Sequence, residues 1–253
     1  MTDKKPTADA PGPHVPAKPE TLLQQAITKA RIPVSRVLHI GANDGAEAQK
    51  YEDMGLEGWH IEALPDVHER LAAACAELPK QHSILACLDE QVHEVEFNIA
   101  SNGAMSSSLF DWNTHPVVHP EVSFTGKAKL TTRRLDDLLA DGTIPDNIDF
   151  AVLDVQGAEL RVLKGGETFI RSPGLRGLIM EISHHELYRG CVLFQELVSH
   201  VLERGYYLKS VEFNQHGWAD AVFLKRWWKE REGERPPIRR PGDARQSKPS
   251  TPS

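Results

Sequence analysis

"VLHIGANDGAEAQKYEDMG", Val37 to Gly55, runs as an apolar strand, turns abruptly small, and resumes as a charged, alanine-bearing helix. Glycines at 41 and 45 bracket an alanine, an asparagine and an aspartate at the handover. Small residues there let the backbone approach a ligand, with the free N–H groups of the first helical turn facing it. The stretch therefore predicts the first strand–turn–helix of an α/β sheet.

Working outward, "GWHIEA" (Gly58–Ala63) is a second short strand, and Pro65 opens a helix running to about Leu78. "HSILACL" is a third strand. Strand–helix alternation of this kind calls for right-handed crossovers and a mostly parallel sheet with helices on both faces. The rhythm then changes. "HEVEFNIA" alternates in period two and predicts a strand with no helix before it, followed by the polar loop "SNGAMSSSLFDWNTHPVVHP". "KAKLTTRRLDDLL" gives a strand and a short helix, and "IDFAVLDV" a central strand buried on both faces. A helix over "AELRVLKGGETFI", strand "GLIMEIS" and helix "LFQELVSHVLERG" follow. "YYLKSVEF" and "ADAVFLKR" then flank "NQHGW" as a closing antiparallel hairpin. A helix from Thr21 to Ala30, ended by Pro33, precedes the first strand.

The chain of 253 residues, 40% of them hydrophobic, suits one good-sized domain, expected over residues 21–228. Residues 1–20 and 229–253 are rich in Pro and polar residues and are expected to be disordered tails. The net charge of −7 is unevenly spread: residues 21–224 carry −12 and residues 225–253 carry +5. A body that acidic is a poor match for a nucleic-acid backbone. Cys75, Cys87 and Cys191 form no CxxC, which argues against a zinc site or a disulfide framework and for a reducing, cytoplasmic setting. No apolar run approaches the ~20 residues that span a bilayer.

Glu62 closes the second strand about twenty residues after Gly41, where a doubly wound sheet places a carboxylate against a ribose diol. The turn Gly-Ala-Asn-Asp-Gly lacks the GxGxxG spacing that fits a pyrophosphate, which disfavours a nicotinamide cofactor and an oxidoreductase. S-adenosylmethionine has no phosphate and carries a cationic sulfonium, which suits an acidic pocket. A tight turn with no ligand is the alternative.

"HIGANDG", "WHIEALP", "NGAMSSSLF" with a following "HP", "RRLDDLL", "LDVQGAELRVLKGG", "EIS" then "ELYRG", and "GWADAVFLK" occur in order over residues 35–226. Together they resemble the FkbM family of S-adenosylmethionine-dependent methyltransferases. The resemblance implies a seven-stranded class I methyltransferase sheet, Rossmann-like, with an antiparallel C-terminal hairpin. It also implies methylation of hydroxyl oxygens on sugars, glycans or other small metabolites. A non-catalytic relative that binds the cofactor and acts through a protein partner is the rival expectation.

Gly41 and Gly45 are expected to allow backbone contact with the cofactor's methionine portion, and Glu62 to hold its ribose. Asn43 and Asp44 either cap the helix or touch the ligand. Asp89, just past the third strand, either meets the adenine or sits in a turn. His39 departs from the acid many relatives carry there; it contacts the cofactor or is a neutral core residue. Asp154 ends the central strand and points at the crevice beyond the strand ends, where cofactor and acceptor meet. Candidate bases for a hydroxyl acceptor are Asp154, Glu181, His184 and His185. Glu159 is either functional or a first-turn acid favoured by the helix dipole. Ser106, Ser107 and Ser108 contact a ligand or are plain loop. Trp112, Tyr188 and Trp218 line an acceptor pocket or are core. His115 and His119 have metal-like spacing, but Pro116 and Pro120 rule out a regular helix, and no metal is expected.

Overall fold

The computed structural model describes residues 19–30, 32–211 and 213–226; the two expected tails lie outside these, apart from Pro19 and Glu20. Those two open the first helix, α1 (Pro19–Ala30). The helix thus starts inside the stretch expected to be tail. A proline at the first helical position loses no hydrogen bond, so the composition signal did not prevent it.

Seven strands form the main sheet: β1 (Arg36–Ile40), β2 (Glu57–Glu62), β3 (Gln81–Leu85), β7 (Phe150–Leu153), β8 (Gly177–Ser183), β9 (Tyr206–Val211) and β10 (Trp218–Lys225), ordered β3-β2-β1-β7-β8-β10-β9. β10 runs antiparallel to both its neighbours, and the other pairings are parallel. This is the class I methyltransferase sheet. β1 sits between β2 and β7, where the strand order reverses, so its C-terminal end opens on the crevice.

The strand "HSILACL" divides at Ala86. Its second half, β4 (Cys87–Leu88), leaves the main sheet and joins β5 (Glu94–Ala100) and β6 (Phe124–Arg133) in a separate sheet, ordered β4-β6-β5. β5 and β6 pair with each other, which explains a strand without an intervening helix.

Alternation of side chains sorts the core into two layers. Leu38, Ile40, Leu153 and Met180 pack with α5 (Leu135–Ala140), α6 (Glu159–Lys164), α7 (Glu167–Arg171) and α8 (Phe194–Glu203). Val37, Val152 and Ile179 face the other way, against Leu23 of α1 and Tyr51 of α2 (Ala48–Asp53). The helix expected over "AELRVLKGGETFI" is two, broken at Gly165–Gly166. A Cβ on Gly165 would lie 2.3 Å from the Asp89 carbonyl oxygen, so only glycine lets that loop pass. Asp136 then caps α7 by accepting from the Thr168 and Phe169 N–H groups at 2.8 and 2.9 Å.

Candidate active site

A cavity of about 1040 Å³ opens beyond the C-terminal ends of β1, β2, β7 and β8. The Gly41–Glu47 turn and Glu62 line one end; Leu187, Tyr188, Phe213 and Trp218 line the other. In the strand order, Asp154 after β7 and Glu181 on β8 stand between Glu62 on β2 and Trp218 on β10.

At the first end, Gly41 adopts φ +84, and a Cβ there would sit 1.8 Å from the carbonyl oxygen of Asp154. The glycine is required by the close pass of β1 against β7. Gly45 (φ +81) does not line the cavity; its missing Cβ makes room for Leu71, 2.8 Å away on α3 (Pro65–Cys75). The N–H groups of residues 41–45 are not free to face a ligand either. Gly41 and Ala42 donate to the Ile61 carbonyl, Asn43 to Glu62 Oε2 at 3.1 Å, Asp44 to Asn43 Oδ1 and Gly45 to the Ala42 carbonyl. Neither Asn43 nor Asp44 caps α2, whose N-cap is Glu47 with no side-chain cap; Asn43, at φ +47, instead ties the turn to the next loop, donating from Nδ2 to the Gly103 carbonyl at 3.2 Å.

Glu62 lines the cavity, and its carboxylate also accepts from the Leu64 N–H at 2.9 Å. Burial raises its pKa, and the backbone donors of Leu64, Ala63 and Asn43 oppose the rise. His39 borders the cavity, but its ring is buried, with Nδ1 3.3 Å from the Tyr51 hydroxyl and its centroid 6.0 Å from His60. Burial, then the His60 charge, lowers its pKa to about 3, so it is a neutral core imidazole at the cavity wall.

Asp89 is elsewhere. It is fully buried away from the cavity, and Arg161 of α6 holds both its oxygens, with Nε donating to Oδ1 at 2.6 Å. The carboxylate expected near the adenine thus faces Arg161 and lies outside the cavity lining.

The turn after β7 carries the chemistry-bearing groups. Gln156, at φ +54, donates from Nε2 to Asp154 Oδ1 at 2.6 Å and to Glu181 Oε2 at 3.1 Å. Its Oε1 accepts from the Tyr188 hydroxyl, and its carbonyl from Ser108 Oγ at 2.8 Å. One amide thus holds both carboxyl groups. Burial raises the Asp154 pKa; burial followed by the charges of Asp154, Glu159 and Asp220 lifts Glu181 well above the usual carboxylate range. Two buried carboxyls held on one amide share a proton rather than ionise together. Glu159 is structural: its Oε1 accepts from the Val155 and Gly157 N–H groups at 3.0 and 3.3 Å, and burial pushes its pKa to about 7.

His184 and His185 are exposed and do not line the cavity. The His184 ring stacks on Phe213 at 3.8 Å, supporting a lining residue from behind, and the His185 ring lies against Gly217. Neither is placed to take a proton from an acceptor.

The loop 101–119 forms a wall. Ser106 and Ser107 line the cavity, yet Ser107 Oγ is held by the Ala100 N–H at 2.9 Å and Ser108 by the Gln156 carbonyl. Trp112 bridges to Tyr188 and stacks behind His115 at 4.5 Å. His115 opens a one-turn helix, α4 (His115–Val118), which forms because Pro116 falls in the first turn. The ring of His115 lines the cavity, buried and neutral, with its pKa lowered to about 4 by burial first and then by His119. Tyr188 and Trp218 line the cavity, and Tyr188 is also part of a buried cluster with Leu187 and Cys191. Asp220 and Phe213 were not singled out by sequence, although an aspartate between Ala219 and Ala221 in a buried strand was a usable signal.

The methyltransferase FkbM domain profile matches residues 39–208. The chain belongs to the FkbM methyltransferase family. A curated relative, the 2-O-methyltransferase NoeI of Sinorhizobium fredii (strain NBRC 101917 / NGR234), is 29% identical over 193 residues, covering 72% of this chain and 76% of that one. Among solved structures, magnesium protoporphyrin IX methyltransferase (ChlM) from Synechocystis PCC 6803 with bound SAM is similar with a TM-score of 0.48 at 7% identity, covering 81% of this chain and 77% of that one. Aeropyrum pernix fibrillarin with S-adenosyl-L-methionine gives 0.43 at 15%, covering 80% and 74%. This FkbM chain is an S-adenosylmethionine-dependent methyltransferase. Its residues fit that cofactor: a carboxylate at the end of β2 faces the cavity beside the Gly41 turn, and further carboxylates suit a cationic group. Among the described residues no helix is long and apolar enough to cross a membrane.

Proposed function

We propose that the enzyme methylates a hydroxyl oxygen of a small metabolite, sugar or glycan, with Asp154 and Glu181 handling the proton. The observation that carries this is the carboxyl pair bridged by Gln156 between the two ends of the cavity. An alcohol is a poor nucleophile until its proton is taken, and a carboxylate made more basic by its surroundings is a suitable base. The cofactor supplies an electrophilic methyl group when bound. Glu62 accepts from the ribose diol and fixes that end. Asp154 then orients the acceptor hydroxyl for in-line attack and takes its proton, while Glu181 carries the proton the pair already holds. Gln156 holds both carboxyls in place, and Tyr188 holds Gln156.

The 2-O-methyltransferase relative supports oxygen as the acceptor atom. The test is transfer of radiolabelled methyl to fractionated cell extract, with the product identified. A methyl ether is expected; an N-methylated product overturns the assignment. Cofactor binding without any labelled product would favour the non-catalytic reading, which the neutral His39 supports.

A further inference from the structure

We infer that the acceptor is a sugar already linked in a glycoside or glycan, not one still carried on a nucleoside diphosphate. This rests on the hydroxyl-methylation reading above. Six carboxyl groups line the cavity: Asp44, Glu47, Glu62, Asp154, Glu181 and Asp220. Among the described lining residues there is no Lys or Arg. Glu181 and Asp220 are cross-strand partners on β8 and β10, and with one proton shared by Asp154 and Glu181 the lining still carries net negative charge.

The places where an α/β sheet ordinarily takes a phosphate are closed to one. Phosphates bind to unsatisfied N–H groups at strand-to-helix turns. Here the Asn43 N–H is taken by Glu62, and the Val155 and Gly157 N–H groups by Glu159. These three donors are therefore held by the protein's own carboxylates and face no phosphate. The cofactor's sulfonium, ammonium and carboxylate leave a single net positive charge, which offsets only part of the lining. In a sugar nucleotide the diphosphate is bonded to the sugar's anomeric oxygen. It would thus enter the cavity, or its mouth, within the ~8 Å over which charges act at physiological salt.

An uncharged sugar ring meets none of this repulsion. Tyr188, Trp218 and Phe213 offer it apolar faces, and carboxylates are ready acceptors for its remaining hydroxyls. The reaction that supplies the substrate is accordingly a glycosyl transfer, which releases the nucleoside diphosphate before the methyl group is added.

The experiment gives the full-length protein tritiated methyl donor with octyl glycosides of common hexoses and deoxyhexoses, and in parallel with the UDP, GDP or dTDP conjugates of the same sugars. Label is expected in at least one glycoside, with kcat/KM for the matching sugar nucleotide at least ~10-fold lower. Asp220→Asn should narrow that ratio. Calorimetric titration of the S-adenosylhomocysteine complex should rank the two forms in the same order. A sugar nucleotide methylated as well as its glycoside overturns the inference and leaves hydroxyl methylation standing. An unchanged ratio in Asp220→Asn overturns its electrostatic cause. No label in any sugar of either form overturns both the sugar reading and the inference built on it.

Discussion

Glu62 and Asp89 look alike in sequence, each an acid closing an apolar strand, and the fold gives them opposite fates. Glu62 ends β2 inside the main sheet, and its carboxylate borders the cavity. Asp89 follows β4, which has already left that sheet, and its carboxylate turns inward to Arg161. The difference lies in a partner 72 residues away, not in the local stretch. A strand-end acid is a ligand group only where no arginine reaches it first.

That contrast can be broken by experiment. The largest effect belongs to Asp89→Ala, which strands the Arg161 charge beside a half-buried wall; a loss of ~3–5 kcal/mol in urea unfolding is expected. Cofactor affinity of the folded protein should stay near the parent value. A weakened affinity with unchanged stability would restore Asp89 to the site. Asp154→Asn should leave affinity for the cofactor almost intact while single-turnover rates fall by ~10²–10³-fold. Parental rates at saturating cofactor would remove Asp154 from the proton path.

The wall beside Glu62 has its own signature in pH. His39 has a folded pKa of about 3, below the ordinary histidine value, so its contribution to stability is complete above pH ~6.5 and is lost as pH falls toward 3. Each pH unit in that window should cost ~1.4 kcal/mol from this residue. His39→Asn should flatten the acid limb of stability against pH by that slope; an identical slope in the variant would show that His39 is protonated in the fold.

Glu62→Ala should weaken cofactor binding by ~1–3 kcal/mol in calorimetric titration, the range for hydrogen bonds to a charged group. Unchanged affinity in a folded variant would make Glu62 no more than a cap for Asn43 and Leu64. The smallest effect is expected at His184→Ala and His185→Ala, within ~0.5 kcal/mol in stability and with parental turnover. A large rate loss at either would move the base there.

The parallel sheet, its antiparallel closing strand and the cavity's two ends were legible in the sequence, because strand runs, glycine turns and the strand-end acids Glu62 and Asp154 are local patterns. Non-local contacts were not legible. Nothing near Ala86 announces that the strand changes sheets, and nothing in "DVQGAE" says that Gln156 takes a positive φ to join two carboxyls. His184 and His185 sit where sequence places a base, yet the hairpin loop carrying Phe213 and Gly217 packs against both rings. Gly45 was read as a ligand-facing glycine, while α3 supplies the reason for it.

The pass of Gly41 against the Asp154 carbonyl has a consequence for ancestry. Any side chain at 41 collides with a neighbouring strand, whether or not a cofactor is bound. A descendant that had abandoned catalysis would keep this glycine as long as it kept its sheet. Gln156 is under a different constraint, since the cost of its backbone is repaid by holding two acids together. Drift at 156 would mark the loss of the reaction, and persistence at 41 would testify only to the inheritance of the fold.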